Sequence, residues 1–123
     1  MTQMEVMVAR EKHLPYVETI EQALIDASRV KGTGIAVRSR DYLTNMIREG
    51  KSIIALHKDG TWAGFCYIES WGHNKFVANS GLVINPEYRG RGLAGRIKQK
   101  ALELSMELFP GAKLFGLTTS LAV

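Results

Sequence analysis

One cysteine and three prolines in 123 residues are the first constraints on this chain. A single cysteine, Cys66, rules out an internal disulfide, so burial and hydrogen bonding must hold the fold. Disulfide frameworks mark oxidising compartments. The chain also lacks a charged start followed by a long apolar run, and any stretch of about 20 apolar residues. The expectation is a cytoplasmic protein with no membrane partner. The three histidines, His13, His57 and His73, are scattered without metal-ligand spacing, so no metal is expected. Repeats, low-complexity segments and linkers are missing as well. The length fits one domain over residues 1–123.

What is present is a 46% apolar fraction, enough for a small core, and a net charge of +4 from 16 basic and 12 acidic residues. The isoelectric point is near 9.4. The positive excess is local: Arg89, Arg91, Arg96, Lys98 and Lys100 lie within one short stretch. That favours an anionic ligand. Nucleic acid is not an expected partner, because no aromatic-basic stacking surface and no helix-turn-helix or RNP-type signature accompanies the charge.

Periodicity gives the element order. Glu5 to Ala9 alternates weakly and reads as a first strand. Leu14, Val17, Ile20, Leu24 and Ala27 fall on one helical face, with Pro15 in the first turn. Gly32-Thr33-Gly34 breaks that helix. Ser39 is an N-cap for a second one carrying Tyr42, Leu43, Met46 and Ile47, and Gly50 stops it. Ser52 to His57, Trp62 to Ser70 and Phe76 to Ile84 read as three antiparallel strands, joined by Lys58-Asp59-Gly60-Thr61 and Gly72-His73-Asn74-Lys75. A third helix follows, with an apolar stripe of Leu93, Ile97, Ala101, Leu104 and Leu108. Met46 and Met106 are assigned to packing. Pro110-Gly111 ends that helix, and Lys113 to Thr118 is a last strand, parallel to its predecessor by the crossover rule. The expected class is α+β, a mixed central sheet with helices on both faces.

The densest signal is Val83-Ile84-Asn85-Pro86-Glu87-Tyr88-Arg89-Gly90-Arg91-Gly92-Leu93-Ala94-Gly95. A strand stops at Pro86, a loop rich in Gly and Arg follows, and a helix starts at once. Gly90 and Gly92 let the backbone turn and approach a ligand closely. The first helical turn leaves N–H groups unpaired at the positive end of the dipole. Arg89 and Arg91 add full charge. The stretch asks for phosphate, and a diphosphate best.

Gly90-Arg91-Gly92-Leu93-Ala94-Gly95 matches G-x-G-x-x-G, but the dinucleotide form wants the first Gly directly after the strand and an acid about 20 positions on. Here Asn85 to Arg89 intervene, and Leu114-Phe115-Gly116-Leu117 holds no acid. The alternative fits better. Arg89-x-x-Gly92-x-Ala94 after Ile84-x-Pro86 resembles the acetyl-CoA signature of the GNAT superfamily of N-acetyltransferases, R/Q-x-x-G-x-G/A after a strand ending V-x-P. The likeness is strongest over Asn79 to Leu108. It implies a GNAT-like fold, acetyl-CoA as cosubstrate, and transfer of an acetyl group to the primary amine of a small molecule. It implies further that Arg89, Gly90, Arg91, Gly92, Leu93, Ala94 and Gly95 hold the pyrophosphate, while Leu82, Val83 and Ile84 pair with the pantetheine arm. The N–H of Val83 or Ile84 would face the thioester oxygen. By the same resemblance the chain stops after the fifth strand, short of one helix and two strands. A Tyr that protonates the leaving thiolate is expected there, and a second copy of the chain is a candidate to cover the end.

For the base that takes a proton from the amine, Glu69 near the end of a central strand is the first candidate, with a plain surface carboxylate as the competing assignment. His73, in the next turn, is the second candidate, since an imidazole can carry a proton either way, or it is simply a polar turn residue. Asn79 and Ser80 interrupt an apolar strand; they bind substrate or mark a bulge. Thr33 in the Gly-Thr-Gly loop, with Arg38 and Arg40 after it, suits a carboxylate on the acceptor. Gly-Thr-Gly-Ile-Ala, Glu-Ser-Trp-Gly-His and Gly-Leu-Thr-Thr together resemble a bacterial N-acetylglutamate-synthase-like subgroup, which points to glutamate. Trp71 and Phe76 are candidate pocket walls, Tyr88 a loop-packing residue and Cys66 a buried hydrophobe. Two other functions fit the same pattern: a non-catalytic acyl-CoA-binding module, and a peptide or protein acetyltransferase.

Overall fold

The computed structural model describes residues 4–30 and 38–115. Its centre is a five-stranded sheet in simple order: β1 (Met4–Val8), β2 (Ser52–His57), β3 (Trp62–Trp71), β4 (Phe76–Ile84) and β5 (Lys113–Phe115). The first three pairings are antiparallel and β4–β5 is parallel. The mixed α+β, GNAT-like architecture expected from the sequence is therefore present.

Two helices cover one face. α1 (Val17–Ser28) buries Val17, Ile20 and Leu24, and α2 (Arg40–Arg48) buries Leu43 and Ile47. They pack with Ile54, Phe65, Tyr67 and Val83 of the sheet. On the other face α3 (Leu93–Leu108) lays Leu93, Ile97, Ala101 and Leu104 against Ile53, Cys66, Ile68 and Val77. Alternate residues of one strand serve opposite layers: Phe65 and Tyr67 go to the first core, Cys66 and Ile68 to the second. The α2 start is as expected, with Ser39 Oγ accepting the Tyr42 N–H at 3.1 Å.

Four boundaries and packing assignments differ. β1 begins at Met4 and ends at Val8, with the Ala9 N–H still bonded to the Ser52 carbonyl at 2.9 Å. Pro15 lies not in the first turn of α1 but in a preceding 3-10 turn, Glu11–Tyr16. The proline thus precedes α1, which starts two residues later at Val17. The stripe of α3 stops at Leu104, because Phe109 at the cap takes the next place against the core and leaves Leu108 exposed. Met106 points away from that stripe and is 52% exposed, so it is not a packing residue. The last strand is described to Phe115; Gly116 to Thr118 lie outside the described residues.

Between Phe65 and Tyr67 the β3–β4 register slips: Tyr67 faces Ser80, whereas Phe65 faces Val83. β4 therefore carries one extra residue, and Gly81 with φ +64° accommodates it. A Cβ on Gly81 would stand 2.4 Å from the Tyr67 ring. The bulge resets the alternation, so Val77 before it and Leu82 and Ile84 after it all serve the α3 layer. It is not at Asn79 and Ser80, as the sequence suggested, but one residue on.

Candidate active site

β5 pairs with β4 only along Phe76 to Ala78. Among the described residues, nothing pairs with the rest of that edge, Asn79 to Ile84. The Asn85 N–H bonds to the Ala63 carbonyl at 2.8 Å, so Asn85 faces β3. By antiparallel alternation Val83 does too, and Ile84 turns its N–H and C=O outward to the open edge. Of the two expected oxyanion donors, Ile84 is the one this geometry favours.

Asn85 also ends the strand. Its Nδ2 donates to the Trp62 carbonyl at 2.8 Å and its Oδ1 accepts the Glu87 N–H at 3.0 Å. That side chain starts the short 3-10 turn Pro86–Tyr88. The chain then reaches Gly92, left-handed at φ +74°, which serves as N-cap of α3. No acid occupies the first turn of α3, and a Cβ at Gly90, Gly92 or Gly95 would meet nothing within 4 Å. The result is an uncovered helix N-terminus beside exposed Arg89 and Arg91. Arg91 lies over the Tyr88 ring at 5.4 Å, and Tyr88 stacks on His57 at 5.7 Å, so Tyr88 packs within the loop.

A cavity of about 480 Å³ joins these parts. It is lined by Ala27 and Val30 from the end of α1, Leu82, Val83 and Ile84 of β4, and loop residues that include Arg89, Gly90, Gly92 and Ala94. Its walls are mostly apolar with backbone and arginine at one side, the mix a ligand with a chain and an anionic group needs. Leu82, Val83, Ile84, Arg89, Gly90, Gly92, Leu93 and Ala94 all line it; Arg91 and Gly95 lie beside it in the same loop and turn.

The second group lies toward the hairpin end of β3 and β4. Glu69 is half-buried on the α1–α2 face, opposite Ala78 in register. Its Oε2 accepts from the Tyr42 hydroxyl and from Arg38 Nη2 at 3.3 Å. Arg38 Nε donates to the hydroxyl of buried Tyr67 at 3.0 Å, and the guanidinium lies over the Tyr42 ring at 5.0 Å. The Tyr67 hydroxyl and then the Glu69 charge hold Arg38 above its ordinary value. Burial, then the bond to Glu69, pushes the Tyr42 hydroxyl well up, so it stays a donor. The Arg38 and Glu69 side chains are 38% and 34% exposed, so the pair is screened and contributes little to stability, but both remain reachable.

The expected site residues thus divide. Glu69 and Arg38 come together, joined by Tyr42 and Tyr67, which sequence reasoning had placed in packing or left unnoticed. Ser80, opposite Tyr67, shares their face; Asn79, opposite Ile68, is on the α3 face. Away from the bulge, adjacent strand residues point to opposite faces, so the two side chains part. His73 stands exposed at the hairpin tip with φ +57° and is not in the cluster. Thr33 lies outside the described residues. Arg40 is tied instead to Glu21 at 2.9 Å, joining α2 to α1. Trp71 stacks on Phe76 and on Phe115, and Phe76 meets Phe115 at a tilt, so the three rings pack together rather than walling the cleft. Cys66 is fully buried, and burial pushes its thiol up to about 12. No metal-holding group of His, Cys, Asp or Glu exists among the described residues, and no described helix is long and apolar enough to cross a membrane.

A family model described as the acetyltransferase (GNAT) family matches residues 18–122. No curated protein matches the chain. Among solved structures, N-acetylglutamate synthase from Neisseria gonorrhoeae, complexed with coenzyme A and N-acetyl-glutamate, superposes with a TM-score of 0.70 at 18% identity, covering 88% of this chain and 24% of that one. Diaminobutyrate acetyltransferase from Paenibacillus lautus, in complex with L-2,4-diaminobutyric acid and coenzyme A, gives 0.66 at 14% identity, over 90% and 62%. Phosphinothricin acetyltransferase from Sinorhizobium meliloti, in complex with AcCoA, gives 0.67 at 16% identity, over 87% and 62%. This chain therefore spans from about a quarter to under two thirds of the length of these relatives.

Proposed function

The chain belongs to the GNAT acetyltransferase family, and from that premise we propose that it moves an acetyl group from acetyl-CoA to the primary amine of a small amino acid. The observation that carries this reading is the cleft in which a strand edge, Leu82 to Ile84, unpaired among the described residues, runs into an arginine-rimmed helix N-terminus. A CoA molecule needs both: a pyrophosphate seat and a strand edge for the amides of its pantetheine arm.

Acetyl-CoA supplies the acetyl group already activated as a thioester. The residues of this chain do the rest. Arg89 and Arg91 with the N–H groups of the first α3 turn hold the pyrophosphate. An outward N–H of the open β4 edge, between Ile84 and the bulge, donates to the thioester oxygen as charge develops there. Glu69 takes the proton from the acceptor ammonium, which frees the nitrogen lone pair to attack the thioester carbon; the C–N bond forms, the C–S bond breaks, and CoA leaves as a thiolate that takes up the proton the amide nitrogen sheds. Its Oε2 is engaged by Tyr42 and Arg38, which leaves Oε1 for that task. Arg38, beside it, takes the acceptor carboxylate. One cation and one anion side by side match an α-amino acid, whose ammonium and carboxylate are equally close. Ser80 on the same face adds a hydroxyl. The relatives bound to N-acetyl-glutamate and L-2,4-diaminobutyric acid support this acceptor class.

The test is thiol release from acetyl-CoA against a panel of amino acids, with glutamate first. The expected result is acceptor-dependent release that drops about 100-fold or more in Glu69→Gln. Arg38→Met is expected to raise KM for the amino acid and leave KM for acetyl-CoA unchanged. CoA binding without turnover on any amine would overturn the transfer reading in favour of a binding module.

A further inference from the structure

On the far side of α3 from the cleft, where the chain leaves β1, a separate cavity of about 210 Å³ is lined by Met7, Val8, Arg10, Lys12, His13 and Lys100. Its charged lining is all of one sign. Arg10 and Lys12 flank His13 in the 3-10 turn, and Lys100 projects from α3. Lys100 has one acidic neighbour, Glu103, at 3.7 Å. Among the described residues, Arg10 and Lys12 have no ion-pair partner.

His13 is 3% exposed, a buried polar side chain. Its Nδ1 accepts the Arg10 N–H at 2.9 Å, which puts the ring proton of the neutral form on Nε2. Among the described residues, the sealed side-chain polar atoms lacking a partner are Ser52 Oγ and Trp62 Nε1. Nε2 has no described partner and is not among the sealed atoms, so it keeps contact with open space, and this cavity is the space that His13 lines. Burial first, then Lys12 and Arg10, depress the imidazolium form. Tyr16, the nearest ring at 6.4 Å, carries no charge to offset them. A buried N–H donor beside Lys12 and Arg10, in a cavity that Lys100 also lines, has the chemistry of an oxyanion seat.

We propose that Arg10, Lys12, His13 and Lys100 form a second anion site, for a phosphate-sized dianion, independent of the acetyl-transfer reading. An anion held there would bridge the β1–α1 connection to α3, the helix whose N-terminus carries the glycine loop. It would also reverse the sign of the field at His13 and favour its protonation.

Sulfate is the probe, since its charge is constant over the relevant pH range. The histidine ring signals of the intact protein would be followed by NMR at fixed ionic strength, with chloride replaced stepwise by sulfate. The expected result is a saturable shift of His13 toward its protonated form, while His73, exposed at the hairpin tip and away from both anion seats, serves as internal control and holds still. Lys12→Gln with Lys100→Gln, both surface changes, is expected to abolish the saturation while the spectrum stays folded. Equal shifts in all three histidines, no shift at His13, or saturation that survives in the double variant would each overturn the site.

Discussion

The two ends of β4 are built on different principles. Past Gly81, the strand and the loop after it offer backbone: an edge that no described residue pairs with, open glycines and the first-turn N–H groups of α3. Toward Ala78, the neighbouring groups are side chains that satisfy one another, with Arg38, Tyr42, Tyr67 and Glu69 closed into one network. An empty backbone site can bind a large ligand without breaking anything. A self-satisfied side-chain site must exchange partners when its ligand arrives, and so can discriminate. Ala78 and Ile84 are six residues apart, roughly 20 Å at ~3.3 Å per residue. A long cosubstrate entering from one end and a small acceptor from the other would meet between them, near the bulge.

The bulge itself separates the two ends, and Gly81→Ala is the sharpest way to break it. Added bulk 2.4 Å from the Tyr67 ring, on a left-handed backbone, should cost about 2–4 kcal/mol, seen as a lower urea midpoint. A midpoint within error of the parent would mean that the slip does not depend on glycine. Next is Tyr42→Phe, which keeps the ring under Arg38 and removes one donor to Glu69. A loss of about 1 kcal/mol is expected, with turnover reduced more than acetyl-CoA affinity. Equal losses in both would tie the network to the cofactor end instead. Arg40→Ala lies outside both ends and should move the midpoint only slightly, since Arg40 is itself more than half exposed and the pair is screened.

The smallest expected effect is on pH dependence. Burial, with Lys12 and Arg10, lowers the folded-state pKa of His13. The unfolded chain therefore takes up the proton first, and the contribution of His13 is present above pH 6.5 and lost as pH falls below it. His13→Gln keeps an acceptor for the Arg10 N–H and should flatten that acid limb in thermal melts. An unchanged limb would assign the acid sensitivity to other groups.

These two ends also differ in how much of them a reader of the sequence can see. Asn85 to Gly95 is contiguous, and each residue type there has a local reason: proline to stop the strand, glycine to turn, arginine to meet an anion. Strand boundaries at Ser52, Trp62 and Phe76 were legible because alternation and turn chemistry are local too. The acceptor end is assembled from Tyr42 and Glu69, 27 positions apart, and Arg38 and Glu69, 31 apart. Tyr42 sits at a helical spacing that reads as packing, and only the tertiary fold brings its hydroxyl to a carboxylate. Asn79 and Ser80 looked alike as polar neighbours, yet strand alternation sends them to opposite layers. His73 looked catalytic by chemistry, and the hairpin geometry holds it apart.

The central claim is that the first turn of α3 seats the CoA pyrophosphate, and Gly95→Glu tests it most directly. Gly95 is exposed, sits in the helix with room for a Cβ, and lies at the positive end of the dipole. Glutamate there should hold or raise the melting temperature, by replacing a helical glycine and by favourable charge at the N-terminus, about 1 kcal/mol together. The same carboxylate would occupy the phosphate seat. Calorimetry with acetyl-CoA on the parent and on Gly95→Glu should therefore show binding in the parent and a loss of about 100-fold or more in a variant that melts no lower. Undiminished acetyl-CoA affinity in the folded variant would contradict the account.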